Sequence, residues 1–423
     1  MAETEAPSRL QLLVLAPAGA DVLVTAGGEL PGVEAPGRLQ ESAEVARAAR
    51  EALGAEVGLL RIVDEPEPSG RQRVVAVLAL RGEPPARTRW GAAPAEFGPV
   101  LAEATGPRPP KQPWRHRDWL PAAEAWLLGA VREAGRAATG PVEQVRVWDL
   151  SCVLRVPTDG GRVYLKATVT APLFADEVSV TPALARLFPG RVPAPLAADR
   201  ERALLALEDA GEEIGWEASP EDWEGLVREF GRLQLASVPY AAELRAAGCR
   251  DRSLEWLAGQ LPVWFDAGLL GRFAPADVAA PLAAAVPRLV EVCAELASSG
   301  VPTALLHGDM HPGNVARGRD GYVYFDWTDT ALGHPFLDVI AIDLAGADRD
   351  RLRDAYLAEW SGLVPPDRLR ALWPLVEVLA PANQAVSYLS LGLFLGNGAP
   401  SSLFGSFTVH WLEKVLAALD RLR

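Results

Sequence analysis

The sequence predicts an α+β protein in three parts: a small α/β domain over residues 1–105, a β-rich lobe over 117–209 and a mostly helical lobe over 210–423, with a linker at 106–116. Three observations carry this reading. Apolar runs of strand character, punctuated by turn residues, recur at 8–26, 58–63, 73–80 and 144–168. From about residue 220 the apolar spacing becomes helical, except around 305–330. Between the first two parts, residues 104–113 hold four prolines and no periodicity, which is how a linker reads.

The elements follow in order. Two apolar runs, 10–15 and 22–25, flank turn residues at 17–21 and predict a β-hairpin. Residues 39–54 read as a helix, with Ser42 as its cap, Ala43, Val45, Ala46, Ala49 and Leu53 on one face, and Gly54 and Gly58 to stop it. Strands are expected at 58–63 and 73–80. Beyond the linker, residues 119–136 form an amphipathic helix. Strands follow at 144–148, 151–156 and 162–168, the last two joined by the turn Pro157-Thr-Asp-Gly-Gly161. A helix near 174–188 precedes a strand that ends at Leu207-Glu-Asp209.

Composition narrows the function. The chain has 423 residues and a net charge of −14, against the basic face that nucleic-acid binders usually show. Residues 201–423 carry 31 acidic and 18 basic side chains, so nearly all of the negative charge sits in the second half. That field favours a cationic ligand. The three cysteines, Cys152, Cys249 and Cys293, lie far apart, which excludes a disulfide scaffold or a CxxC metal site and suits a reducing cytoplasm. The first residues are acidic and lack the apolar core of a signal peptide. The apolar stretch 372–395 includes Glu377, Pro381, Asn383 and Gln384 and reads as a buried helix pair rather than a membrane span. A cytoplasmic protein with neither a nucleic-acid nor a membrane partner is therefore expected.

The chemistry concentrates in Leu306-His-Gly-Asp-Met-His-Pro-Gly-Asn-Val315, Tyr322-Val-Tyr-Phe-Asp-Trp327 and Gly333-His-Pro-Phe-Leu-Asp338. Asp309 and Asn314 have the spacing of the His-x-Asp-x4-Asn catalytic loop of kinases. Asp320-Gly321 turns a hairpin whose second strand delivers Asp326 beside that loop. Two carboxylates and an amide then converge where a hard cation and a transferring phosphate can sit. In this reading Asp309 handles the substrate hydroxyl proton, Asn314 and Asp326 supply oxygens to Mg²⁺, and His307 and Asp338 brace the loop. Gly308 and Gly313 permit its tight backbone.

These three blocks resemble the aminoglycoside phosphotransferase and choline kinase superfamily, whose fold is protein-kinase-like. The likeness is specific over 305–343, extends over about 117–423 and leaves out 1–105. It implies an ATP-dependent O-phosphotransferase acting on a small hydroxylated molecule. Lys166, the only lysine between residues 112 and 413 of this arginine-rich chain, takes the place of the strand lysine that holds the ATP phosphates. Its ion-pair partner is expected on the next helix at Glu177, with Asp176 as the alternative. The turn Trp148-Asp-Leu-Ser151 takes the place of the phosphate-covering loop, which makes Ser151 a phosphate contact. Leu207 and Asp209 mark the hinge that would hold adenine. No G-x4-G-K-[ST] motif is present, which excludes a P-loop kinase.

Within this class the acceptor is expected to be amine-bearing, such as an aminoglycoside or amino sugar, with a choline-type amine, a neutral sugar or homoserine as alternatives. A nucleotide-binding regulatory pseudokinase is the alternative of a different class. Residues 1–105 resemble a Nudix hydrolase domain through Leu30-Pro-Gly32 and Arg50-Glu51. Gly54 and Ala55 stand where that family holds Mg²⁺ with glutamates, so the implied domain is inactive as a pyrophosphatase.

Overall fold

The computed structural model describes residues 8–35, 42–66, 72–107, 111–396 and 403–422. They form two compact units, one of residues up to 169 together with 196–209, the other of 170–195 and 210 onward.

The first unit contains two sheets. One is built from β1 (Ser8–Leu15), β2 (Val22–Thr25), β3 (Gly32–Ala35), β4 (Val57–Pro66), β5 (Gln72–Leu80) and β6 (Thr88–Gly91), in the order β4-β5-β1-β2-β6, with β3 also paired to β1. The expected β1–β2 hairpin is present. The other edge of β1 runs parallel to β5. A parallel pair needs a long connection, and this one includes α1 (Ser42–Leu53). As its spacing predicts, α1 buries Val45, Ala46, Ala49 and Leu53, whereas Ala43, expected on the same face, is exposed in the first turn. Residues 39–41 of the expected helix lie outside the described residues. Ser42 is the first helical residue, and its hydroxyl accepts the Val147 amide at 2.9 Å. The helix α2 (Gly98–Thr105) packs Leu101 and Ala104, with Phe97, on Leu13, Leu15, Val75 and Val77. Of the proline-rich stretch, residues 108–110 lie outside the described residues; beyond them Gln112, Trp114 and Arg115 are buried ahead of α3 (Trp119–Glu133).

The second sheet joins β7 (Glu143–Val147), β8 (Ser151–Thr158), β9 (Gly161–Thr168), β10 (Pro195–Asp199) and β11 (Leu204–Glu208) in the order β10-β11-β9-β8-β7. Its register sorts the side chains. Lys166 on the central β9 lies opposite Val153 on β8 and Leu205 on β11. Because successive residues point to opposite faces, Cys152, Leu154, Leu165, Ala167 and Ala206 share one face and are all buried. Ser151, Tyr164, Lys166 and Leu207 share the other.

The second unit is mostly helical: α4 (Glu177–Leu187), α5 (Pro220–Ser237), α6 (Ala241–Ala247), α7 (Leu254–Trp264), α8 (Ala267–Leu270), α9 (Ala276–Ala297), α10 (Ile340–Leu344), α11 (Arg349–Glu359), α12 (Pro366–Leu395) and α13 (Leu403–Leu422). Its core draws on Phe230 of α5, Leu257 of α7, Leu289 of α9 and Leu379 of α12. Six short strands interrupt the helices: β12 (Glu212–Glu213), β13 (Arg250–Arg252), β14 (Ala304–Leu306), β15 (Val315–Gly318), β16 (Gly321–Tyr324) and β17 (Ala331–Gly333). They form the sheets β12-β15-β16 and β13-β17-β14. Strand β13 falls where the spacing reads as helical; at three residues it has no period to show. The stretch 372–395 is part of one continuous helix rather than a helix pair, with Pro374 and Pro381 inside it. Among the described residues α12 is the one helix long and apolar enough to cross a membrane, and 78% of that window is buried within the protein. Burial pushes the thiols of Cys152, Cys249 and Cys293 upward, and all three are free.

Candidate active site

The second unit holds the loop that joins β14 to β15. β14 is buried along its length, so the chain leaves it from a defined position. The next residue, His307, is fully buried, and burial lowers its imidazole to about 4. The ring is therefore neutral at pH 7. Its Nε2 donates to the Phe325 carbonyl at 2.9 Å, and its Nδ1 accepts the Asp309 amide at 3.4 Å. Grouped by sequence with Asp309, His307 has both nitrogens committed to backbone and ties the loop to the end of β16.

Asp338 braces the same loop from the other side. Its carboxylate accepts the amides of His307 and of Gly308, the latter at 3.2 Å. Burial pushes its pKa up to about 7, against the opposing pull of the His307, Gly308 and Met310 amides. Gly308 has φ +86, and a Cβ there would sit 2.5 Å from the carbonyl oxygen of Asp329. Only glycine combines that conformation with that contact. The Gly308 carbonyl accepts from Gln384 Nε2 of α12 at 2.6 Å. No local signal marks Gln384 in the sequence; it lies 76 residues from its partner.

Asp309 stands at the loop's apex with a side chain 43% exposed, far more open than the residues that hold it. Asn314 is buried and crosses the loop, with Nδ2 donating to the Asp309 carbonyl at 2.9 Å. His311 takes the Gly313 amide on Nδ1 at 3.1 Å, and its Nε2 lies 3.5 Å from Asp309 Oδ2. The exposed Trp216 stacks on the His311 ring, with centroids 4.7 Å apart and planes 25° from parallel. That contact too is invisible in the sequence pattern.

The expected hairpin brings in the third group. Val315 pairs with Tyr324, which sets Asn314 opposite Phe325, and the Phe325 amide donates to the Asn314 carbonyl at 3.0 Å. Asp326 comes next, with φ +67 and ψ 62. This left-handed conformation is uncommon outside glycine and marks a constrained position. Its carboxylate accepts the Thr328 hydroxyl. Glu177, the first residue of α4, is buried and accepts the Trp327 amide at 3.1 Å. Asp309 and Asp326 both pull the pKa of His307 upward by their charge, against its burial.

The first unit carries the other expected residues. Lys166 is buried on the sheet face that it shares with Ser151 and Leu207. The Ser151 hydroxyl accepts Trp148 Nε1 at 2.6 Å. Asp209 follows β11; its amide bonds the Arg162 carbonyl at 3.2 Å, and its carboxylate accepts Arg162 Nε at 2.7 Å.

Asn314 and Asp326 fit a magnesium ion by donor type. The Asn314 nitrogen is committed to Asp309, so its amide oxygen is the atom it can offer a cation, and Asp326 adds a carboxylate. Mg²⁺ commonly takes one or two protein oxygens and completes its shell with phosphate and water. Among the described residues there is no group of three or more His, Cys, Asp or Glu side chains that could hold a metal.

A search among curated proteins returns no match. Solved structures are similar at low identity. A choline/ethanolamine kinase family protein from Mesorhizobium loti superposes with a TM-score of 0.50 at 18% identity, over 71% of this chain and 95% of that one. A choline kinase from Streptococcus pneumoniae gives 0.49 at 11%, over 71% and 99%. A macrolide 2′-phosphotransferase from Brachybacterium faecium gives 0.46 at 19%, over 71% and 98%. The first of these supports the protein-kinase-like fold. Residues 144–372, more than half of the chain, match the phosphotransferase enzyme family, and the chain belongs to that family.

Proposed function

We propose that the chain transfers the γ-phosphate of ATP to a hydroxyl of a small molecule. The observation that supports this is that Asn314 bonds the Asp309 carbonyl while the hairpin register sets Phe325, the residue before Asp326, opposite Asn314. Lys166 holds the α- and β-phosphates, with Glu177 as its ion-pair partner, and Ser151 contacts a phosphate. Backbone groups at Leu207 and Asp209 receive the adenine. Asn314 and Asp326 would hold Mg²⁺, which would supply positive charge to the transferring phosphate. Asp309 accepts the acceptor's hydroxyl proton as that oxygen bonds to the γ-phosphorus. The bond from phosphorus to the β,γ-bridging oxygen breaks, and ADP leaves. His307 and Asp338 keep the loop in shape and touch no substrate. Three buried, free cysteines suit a cytoplasmic setting for this reaction.

The acceptor we favour is amine-bearing, such as an aminoglycoside or amino sugar, because residues 201–423 carry the chain's negative charge. One observation favours a neutral sugar instead. Carboxylates of that half are already paired, Asp343 with Lys414 and Glu377 with Arg349, so an amine meets a weaker field than the charge count implies. ADP release with Mg-ATP, screened over aminoglycosides, amino sugars, choline-type amines and neutral sugars, separates the two. A response from amine-bearing acceptors, with KM rising as salt is added, supports the first; a response from neutral sugars alone supports the second. No release with any acceptor contradicts the proposed reaction.

A further inference from the structure

The nucleotide reading leaves residues 1–117 without a task, yet this region reaches the turn between β7 and β8. That turn, Trp148-Asp-Leu-Ser151, contains no glycine. A glycine-rich loop can mould its backbone around a phosphate; a turn built from larger residues needs its shape set from outside. Three side chains of the segment before α3 provide that. Trp114 is buried, and its Nε1 donates to the Trp148 carbonyl at 2.9 Å. Gln112, also buried, donates Nε2 to the Asp149 carbonyl at 3.3 Å. Arg115 is buried with one nitrogen on Asp149 Oδ1 at 2.5 Å and the other on Glu103 Oε1 of α2 at 2.9 Å.

The contacts continue into the N-terminal sheet. Glu103 also accepts Arg61 of β4 at 2.9 Å. Gln144 of β7 exchanges two hydrogen bonds with the Leu59 backbone, at 2.8 and 2.9 Å. Ser42 accepts the amide of Val147, the last residue before the turn. The turn is thus fastened on its carbonyls by Trp114 and Gln112, on its carboxylate by Arg115, and at its entry by Ser42. Trp148, fastened in this way at its carbonyl, also donates from its indole Nε1 to Ser151 Oγ, the expected phosphate contact.

We propose that Gln112, Trp114 and Arg115 are positioning residues for the nucleotide: they hold the β7–β8 turn, and with it Ser151, in the shape that receives the ATP phosphates, and they anchor that shape to the N-terminal domain. The proposal rests on the nucleotide reading given above. A turn held in its bound shape loses little conformational freedom when ATP arrives, so the clamp acts on ATP affinity and leaves the transfer step alone.

The test uses the full chain. Trp114→Phe removes the indole donor and keeps an aromatic ring. Asp149→Asn keeps the shape and removes the charge facing Arg115, and Arg115→Lys keeps the charge and removes the fork. ATP binding is measured by calorimetry, KM for ATP and kcat by ADP release, and folding by the thermal midpoint. The expected result is a rise of about tenfold in Kd and KM for ATP, the loss of roughly one charge-assisted hydrogen bond, with kcat nearly unchanged. Variants that lose thermal stability but bind ATP as wild type overturn the proposal and reduce the clamp to packing. A wild-type chain that binds no ATP overturns the nucleotide reading, and the proposal falls with it.

Discussion

A single methyl group at residue 308 should dismantle the loop. In Gly308→Ala the new carbon lies 2.5 Å from the Asp329 carbonyl oxygen at a φ of +86. Strain and overlap together should cost at least about 2 kcal/mol in denaturant unfolding, with activity lost. The buried histidines give a pH signature. His307 and His334 titrate near 4 and 3 in the fold, against an ordinary value of 6.5. As pH falls below 6.5 the unfolded chain binds protons that the folded one refuses, so stability drops. Asp338 acts oppositely: its carboxyl titrates near 7 in the fold against 3.8 ordinarily, so its contribution is lost as pH rises from about 4 to 7. Between about pH 4.5 and 6 the two histidines outweigh the one aspartate, so their joint contribution to stability should fall on acidification. His334→Gln should flatten that slope; an unchanged slope contradicts the assignment. At this scale the placement of Asp309 and Asn314 on one loop, of Asp326 just after a hairpin and of Lys166 on a strand was legible, because each lies in a short segment of fixed spacing. Gln384 and Trp216 were not, because each meets the loop from a distant segment.

The elements that position the site are short. The β15–β16 hairpin could be read from Asp320-Gly321 and its flanking apolar residues, and its register sets Asn314 beside the chain that leads to Asp326. Helix α1 was legible by its buried stripe of Val45, Ala46, Ala49 and Leu53. β13 was hidden, because a three-residue strand has no period and its parallel partner β17 lies far along the chain. α12 was misread as a helix pair, because Pro374 and Pro381 look like breaks in sequence but lie within one packed helix. This helix carries Gln384 to the loop, so Gln384→Leu tests whether α12 sets loop geometry. The expected result is a loss of about tenfold in kcat, for one hydrogen bond to a positioned carbonyl, with the thermal midpoint little changed. An unaltered kcat would show that the contact plays no part in the chemistry.

At the scale of the whole molecule, composition and apolar spacing predicted the α+β class and the helical character of the chain after residue 220. The pairing of β1 parallel to β5 was not legible, since it joins segments separated by an intervening helix and three strands. The burial of Trp114 and Arg115 was equally hidden, because a proline-rich stretch without period looks unstructured until its side chains find partners. The charge of −14 favours a cationic acceptor, but paired carboxylates such as Asp343 and Glu377 show that a formal count overstates the field a ligand meets. The central claim is that Asp309 takes the acceptor's proton while nucleotide binding rests on other groups. Transfer of labelled γ-phosphate by Asp309→Asn, measured beside calorimetric ATP binding by the same protein, tests this most directly. The expected result is a fall in transfer of about 10²- to 10⁴-fold with ATP affinity close to wild type, and transfer at the wild-type rate would contradict the account.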